Sequence, residues 1–156
     1  MKKKHIALAS VATLALCAAT TVFAQAKPEE EIRYRQSVMN VIGRAFGPMV
    51  NMAQNKIPYN KDVVAKNTQV IDTLVTLPWN AFGPGTEKGA PTKADMKIWS
   101  EQANFKEGAD KMQQEVSKLS QAVKGGDEKA IKGAIGDLGK TCKSCHDDYR
   151  LKEARN

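Results

Sequence analysis

Near the C-terminus of this 156-residue chain, residues 141–150 read TCKSCHDDYR, with two cysteines three positions apart and a histidine directly behind the second. Two thiols at this spacing can add across the vinyl groups of a porphyrin, and the adjacent imidazole can bind its iron. On a helix, positions three and four apart share a face, so Cys142, Cys145 and His146 project to one side. The thiols would then fix one edge of a flat ring while the imidazole reaches the metal. The motif reads as attachment of one haem c, covalently bound through Cys142 and Cys145, with His146 as the ligand to iron.

Other uses of the same residues fit less well. A thioredoxin-like redox pair wants a βαβ setting, and no strand pattern is visible. Zinc would need a fourth ligand, which only a carboxylate could supply, because the other Cys and His lie at the extreme N-terminus. A disulfide across two intervening residues closes almost no loop and adds little chain entropy.

His5 and His146 are the only histidines. If His5 leaves with a leader, the sixth position on iron is open, filled by water or a small ligand, or taken by a methionine. Met39, Met49, Met52, Met96 and Met112 are the candidates. Met39 stands about ten positions into the first predicted helix, about 15 Å along its axis. In an antiparallel bundle that level faces a residue several positions before the end of the last helix, as His146 is. Two readings of Met39 stand side by side: ligation of iron, or packing as a flexible apolar filler. Arg35, one turn earlier, also has two: a charge-assisted bond to a haem propionate, or a surface arginine with its stem on the protein.

The N-terminus explains where such a protein would be matured. MKKKHIALASVATLALCAATTVFAQ places three lysines before a run from Ile6 to Ala24 without charge, which reads as a secretory signal peptide over residues 1–24. Cleavage after Ala24, with Val22 and Ala24 at the small-residue positions, leaves a single domain over residues 25–156; Ala26 offers a second cleavage point. The run could also span a membrane uncleaved, but Ser10, Thr13, Thr20 and Thr21 dilute it. Lipidation at Cys17 is disfavoured because Leu16, not a small residue, precedes it.

Loss of three lysines and no acidic residue takes the formal charge from +7 to +4. The lysines are scattered, which argues against a nucleic-acid face, and no stable membrane association is expected after cleavage. Export would take the mature domain out of the cytosol. A secreted domain with two cysteines has no wider disulfide framework, so the pair must be a local device.

Four segments carry apolar residues at helical spacing, and no repeat or low-complexity stretch interrupts them. The first opens on Pro28 and Glu29–Glu31 and has the stripe Ile32, Arg35, Met39, Ile42, Phe46, Met49 and Ala53, with Gly47-Pro48 expected to kink or break it. Asn60 reads as the cap of a second, with Val63, Val64, Val70, Ile71, Leu74 and Leu77 inward up to Pro78. Residues 78–91 form a long connection carrying Trp79 and Phe82, of the kind that is usually functional. Thr92 and Asp95 resemble a capping arrangement for a third helix ending at Gly125-Gly126. Asp127 caps a fourth, with Ile131, Ile135, Leu138, Cys142, Cys145 and Tyr149 inward. The pattern is all-α: an antiparallel four-helix bundle with covalently attached haem.

KPEEEIRYRQSVM at the start, LPWNAFGPGTE in the long connection, KIWS at the third helix and CKSCHDDYR at the end resemble the cytochromes c′, the high-spin class II c-type cytochromes of bacteria. The likeness spans essentially the whole mature chain. It implies five-coordinate iron with His146 as sole protein ligand, Arg35 and Gln36 near the propionates, and Met39 filling the distal side. It further implies Arg150 beside the proximal histidine, and Glu87 of the long connection joins the expected cofactor-binding set. The family commonly forms homodimers, binds nitric oxide and carbon monoxide while largely excluding oxygen, and has been linked to electron transfer with partner proteins the sequence does not identify. Low-spin relatives of the same fold place a ligating methionine near the position of Met39.

The reading is a periplasmic monohaem protein that carries electrons or binds small gases, without turnover of its own. The alternatives are a methionine-ligated electron carrier of the same fold, or a haem enzyme acting on nitric oxide or peroxide. The peroxidase form of the latter would benefit from a distal acid–base group.

Overall fold

The computed structural model describes residues 27–155, so the expected leader and both of its cleavage points lie outside the described residues. Helix α1 runs Pro28–Ala53, with Pro28 in its first turn and Glu29, Glu30 and Glu31 at the positive end of its dipole. The expected kink or break at Gly47-Pro48 does not divide it. Pro48 sits inside one continuous helix, where it removes the bond to the carbonyl of Arg44. Arg44 and Gly47 are on the solvent side, so water can take up that carbonyl, while Met49 and Met52 beyond the proline are buried and hold the last turn in place.

Helix α2, Lys61–Leu74, starts at Asn60, whose side chain accepts from the backbone N–H groups of Asp62 and Val63. It buries Val64 and Ile71, whereas Val63 and Leu77 of the expected stripe are exposed. A single turn of 3-10 helix follows at Trp79–Phe82 within the long connection.

The expected third helix arrives in two pieces, α3 over Lys97–Ser100 and α4 over Gln102–Gly125, divided at Glu101, whose backbone leaves the helical region. Thr92 does not cap it. Asp95 Oδ1 instead accepts from the N–H of Lys97, and Thr92 lies in a strand. Gly126 at φ +78° closes α4, a conformation that suits glycine. Asp127 Oδ1 then accepts from Lys129 and Ala130 at the start of α5, Glu128–Tyr149.

A second departure from the all-helical expectation is a two-stranded antiparallel ribbon. Strand β1, Thr92–Ala94, pairs with β2, Arg150–Arg155, with Thr92 opposite Arg155, Ala94 opposite Arg150, and an irregularity between. Three residues and a polar tail are too short to show alternation, so the pairing arises only from the tertiary fold.

The four long helices close into a bundle in which α1 packs on α2 and α5, and α4 packs on α2 and α5. Ile32, Met49, Val64, Ile71, Val116, Leu119, Ile131, Ile135 and Leu138 are almost completely buried. Each such side chain contributes about 1.5–3 kcal/mol by burial. This core holds the facing ends of α1 and α5 in fixed relation, and those ends carry the chemistry.

Candidate cofactor site

Toward the C-terminal end of α5 the buried stripe gives way to a cavity of about 770 Å³, a size in the range of cofactor pockets. Cys142, Cys145 and His146 line it from α5, Arg150 from the start of β2, and Arg35, Gln36, Met39, Ile42 and Phe46 from α1. Trp79 and Phe82 enter from the long connection, and Phe105, Gly108 and Met112 from α4. The structure thus gathers Cys142, Cys145, His146, Arg35, Gln36, Met39 and Arg150 around one space, with Met112 of the other methionine candidates; Met49, Met52, Met96 and Glu87 lie outside the lining residues. Glu87 Oε2 is buried without a hydrogen-bond partner.

Both cysteines are free and half-buried. Burial, reinforced by the neighbouring Cys145, pushes the Cys142 thiol up to about 11. Burial and the Asp148 carboxylate raise Cys145 as well. Neither is a ready thiolate, which disfavours redox exchange and zinc binding. Among the described residues no group of three Cys, His, Asp or Glu side chains converges as a metal ion alone would require.

His146 keeps an accessible surface toward the cavity. Packing around the ring and the Arg150 guanidinium pull its pKa below the ordinary histidine value, against a smaller opposing effect of Asp147. The imidazole is therefore neutral at neutral pH, with a lone pair free for a metal. The Arg150 N–H donates to the His146 carbonyl as α5 ends, which holds the two residues one turn apart.

Arg35 is 2% exposed. Its Nη1 donates to the Ala81 carbonyl at 2.7 Å and to Thr86 Oγ1 at 3.2 Å, and its Nη2 donates to the Thr86 carbonyl at 3.0 Å. The guanidinium also lies 4.5 Å from the Phe82 ring centroid and 5.3 Å from that of Trp99. It is no surface arginine. Gln36 Nε2 donates to the Pro91 carbonyl at 2.9 Å.

Aromatic contacts finish the wall. Phe105 meets Trp79, Phe82 and Tyr149 edge-to-face, at centroid distances of 5.9, 4.9 and 5.4 Å. Trp79 Nε1 donates to Val75 O, Trp99 Nε1 to Gly83 O, and Tyr149 Oη to Glu101, so the rings are pinned by their polar ends. Gly108 faces Cys145, and a Cβ there would stand 4.0 Å from its sulfur. The wall contributed by Pro91–Ala94 and Ala154 was not visible in the sequence, because neither segment carries a periodic signal.

The residues fit a flat, largely apolar, covalently held ring: two thiols and a neutral imidazole on one helix face, aromatic walls, and a buried cation at the rim. A four-helix bundle with such a site on its last helix defines a c-type haem protein of the bundle class. A family model described as Cytochrome C′ matches residues 30–150. Cytochrome c′ of Rubrivivax gelatinosus is 46% identical over 126 residues, 81% of this chain and 98% of the relative. The crystal structure of cytochrome c′ from that organism matches with a TM-score of 0.77, covering 80% of this chain and 97% of that one. A nitric oxide complex of a leucine-to-alanine mutant of cytochrome c prime from Alcaligenes xylosoxidans matches at 42% identity with a TM-score of 0.75, covering 83% and 99%. The chain belongs to the cytochrome c′ family, whose cofactor is haem c.

Proposed function

We propose that the chain is a periplasmic monohaem cytochrome with five-coordinate, high-spin iron that binds nitric oxide and carbon monoxide and exchanges single electrons. The observation that carries this reading is the shared cavity of Cys142, Cys145 and His146. Haem, when bound, supplies an iron centre that cycles between two oxidation states and takes a diatomic ligand. Cys142 and Cys145 would supply the two thioether links, and neutral His146 would offer its ring nitrogen to the metal. Arg150 favours that neutral form. Arg35 and Gln36 line the same cavity and would answer the carboxylates of the cofactor.

Met39 is half-buried and packs against the hydrophobic core, which supports the filling role over ligation. With Ile42 and Phe46 it gives an apolar strip on the α1 side of the cavity. An apolar strip next to the iron would disfavour dioxygen, which depends on a donor for tight binding, more than nitric oxide or carbon monoxide. Nitric oxide complexes are known for mutants of the similar Alcaligenes xylosoxidans protein. The reading includes a homodimer, unidentified redox partners and no turnover reaction. Among the described residues no helix is long and apolar enough to cross a membrane.

Absorption and electron paramagnetic resonance spectra of the ferric protein test the coordination. High-spin signals are expected; the long-wavelength band of methionine-ligated ferric haem would replace this reading with the low-spin carrier.

A further inference from the structure

One wall of the cavity is built outside the bundle helices. Thr92, Lys93 and Ala94 of β1 line it together with Arg150 and Ala154 of β2. The family match ends at residue 150, where β2 begins.

The two strands are held unequally. β1 is tied to the body just upstream: Gln36 Nε2 holds the Pro91 carbonyl, and Thr92 is 2% exposed. Gly89, at φ +125°, passes so near the start of α1 that an added Cβ would stand 3.2 Å from Pro28 Cβ. β2 is the last described segment of the chain. It is held by its pairing with β1, by Lys93 Nζ donating to the Lys152 carbonyl at 2.6 Å, and by the Asp95 N–H donating to the Tyr149 carbonyl at 2.9 Å where the helix ends. A two-stranded ribbon is marginal by itself, and Lys152, Glu153 and Ala154 are exposed, so little buried surface holds β2 in place. When the ribbon parts, β2 is the strand that leaves, and the cavity loses Ala154 from its lining beside β1.

We propose that β2 is a gate on the haem cavity, swinging from Arg150, and that small ligands reach the iron through the opening it makes. This rests on the reading that the cavity holds haem. A gate open about a tenth of the time slows ligand access roughly tenfold.

The test is carbon monoxide association with the ferrous haem-loaded protein after flash photolysis. The full chain is compared with a chain ending at Arg150 and with Lys93→Ala, which removes the Nζ bond to Lys152. The shortened chain should bind roughly tenfold faster, and Lys93→Ala should fall between the two, with unchanged absorption spectra. In the full chain, amides bonded across the ribbon should show only about tenfold protection from hydrogen exchange. Association rates within about twofold of the full chain, or protection on the order of a thousandfold, overturn the gate. Should the shortened chain fail to accumulate, an unchanged rate in Lys93→Ala overturns it alone. A colourless full-length protein would instead remove the haem reading beneath it.

Discussion

Arg35 of α1 reaches across 46 positions in sequence to donate to the carbonyl oxygen of Ala81 at 2.7 Å. With its bond to the Thr86 carbonyl, this clamps the long connection onto the helix that carries Met39. Arg35→Ala leaves both carbonyls without this donor and should cost about 3 kcal/mol in denaturant unfolding. Arg35→Lys keeps the charge but loses the planar fork, and should recover less than half of that. A change within about 0.5 kcal/mol for Arg35→Ala would show that the clamp contributes nothing.

His146→Ala should leave the haem attached, because the two sulfur links do not involve the imidazole. Mass spectrometry should show an unchanged cofactor, while the ferric and ferrous spectra shift with loss of the nitrogen ligand. Identical spectra would rule His146 out as the ligand to iron.

Met39→Ala removes a half-buried filler and should enlarge the cavity, at a cost of about 1–2 kcal/mol in stability. Carbon monoxide association should accelerate and the ferric protein should stay high-spin. Conversion from low-spin to high-spin iron would identify Met39 as a ligand.

The chain without haem should lose stability in alkali. Cys142 is raised from the ordinary 9.0 to about 11 in the fold, so above pH 9 the unfolded chain gives up its proton first. Stability is therefore fully present below pH 9 and falls as pH rises toward about 11, by at most about 2.7 kcal/mol from this group. Thioether formation removes the titrating thiol. Unfolding free energies of the two forms measured between pH 8 and about 11 should diverge, and parallel curves would count against the assignment.

Residues whose environment is set locally were legible in the sequence. Asn60 and Asp127 cap their helices as expected, Gly126 ends α4, and the stripe Ile131, Ile135 and Leu138 is buried. The cysteines and histidine could be placed on one helix face because their spacing alone fixes it. What depends on distant partners was not legible. Pro48 stays within α1 because Met49 and Met52 are anchored in the core, a tertiary effect that overrides the local penalty. Arg35 was weighed between the surface and a propionate, yet its partners in the structure include the carbonyls of Ala81 and Thr86, whose position a one-dimensional pattern does not contain. The ribbon is the extreme case, since RLKEAR has no strand character until Thr92–Ala94 is brought beside it.

Whether Cys142 and Cys145 bond one haem inside the bundle is decided by intact-mass measurement of the purified, denatured protein. The mass should exceed that of the processed polypeptide by one haem, and the excess should vanish when both cysteines are replaced by serine. A mass equal to the bare polypeptide, or a haem released by denaturation alone, would refute covalent attachment through these sulfurs.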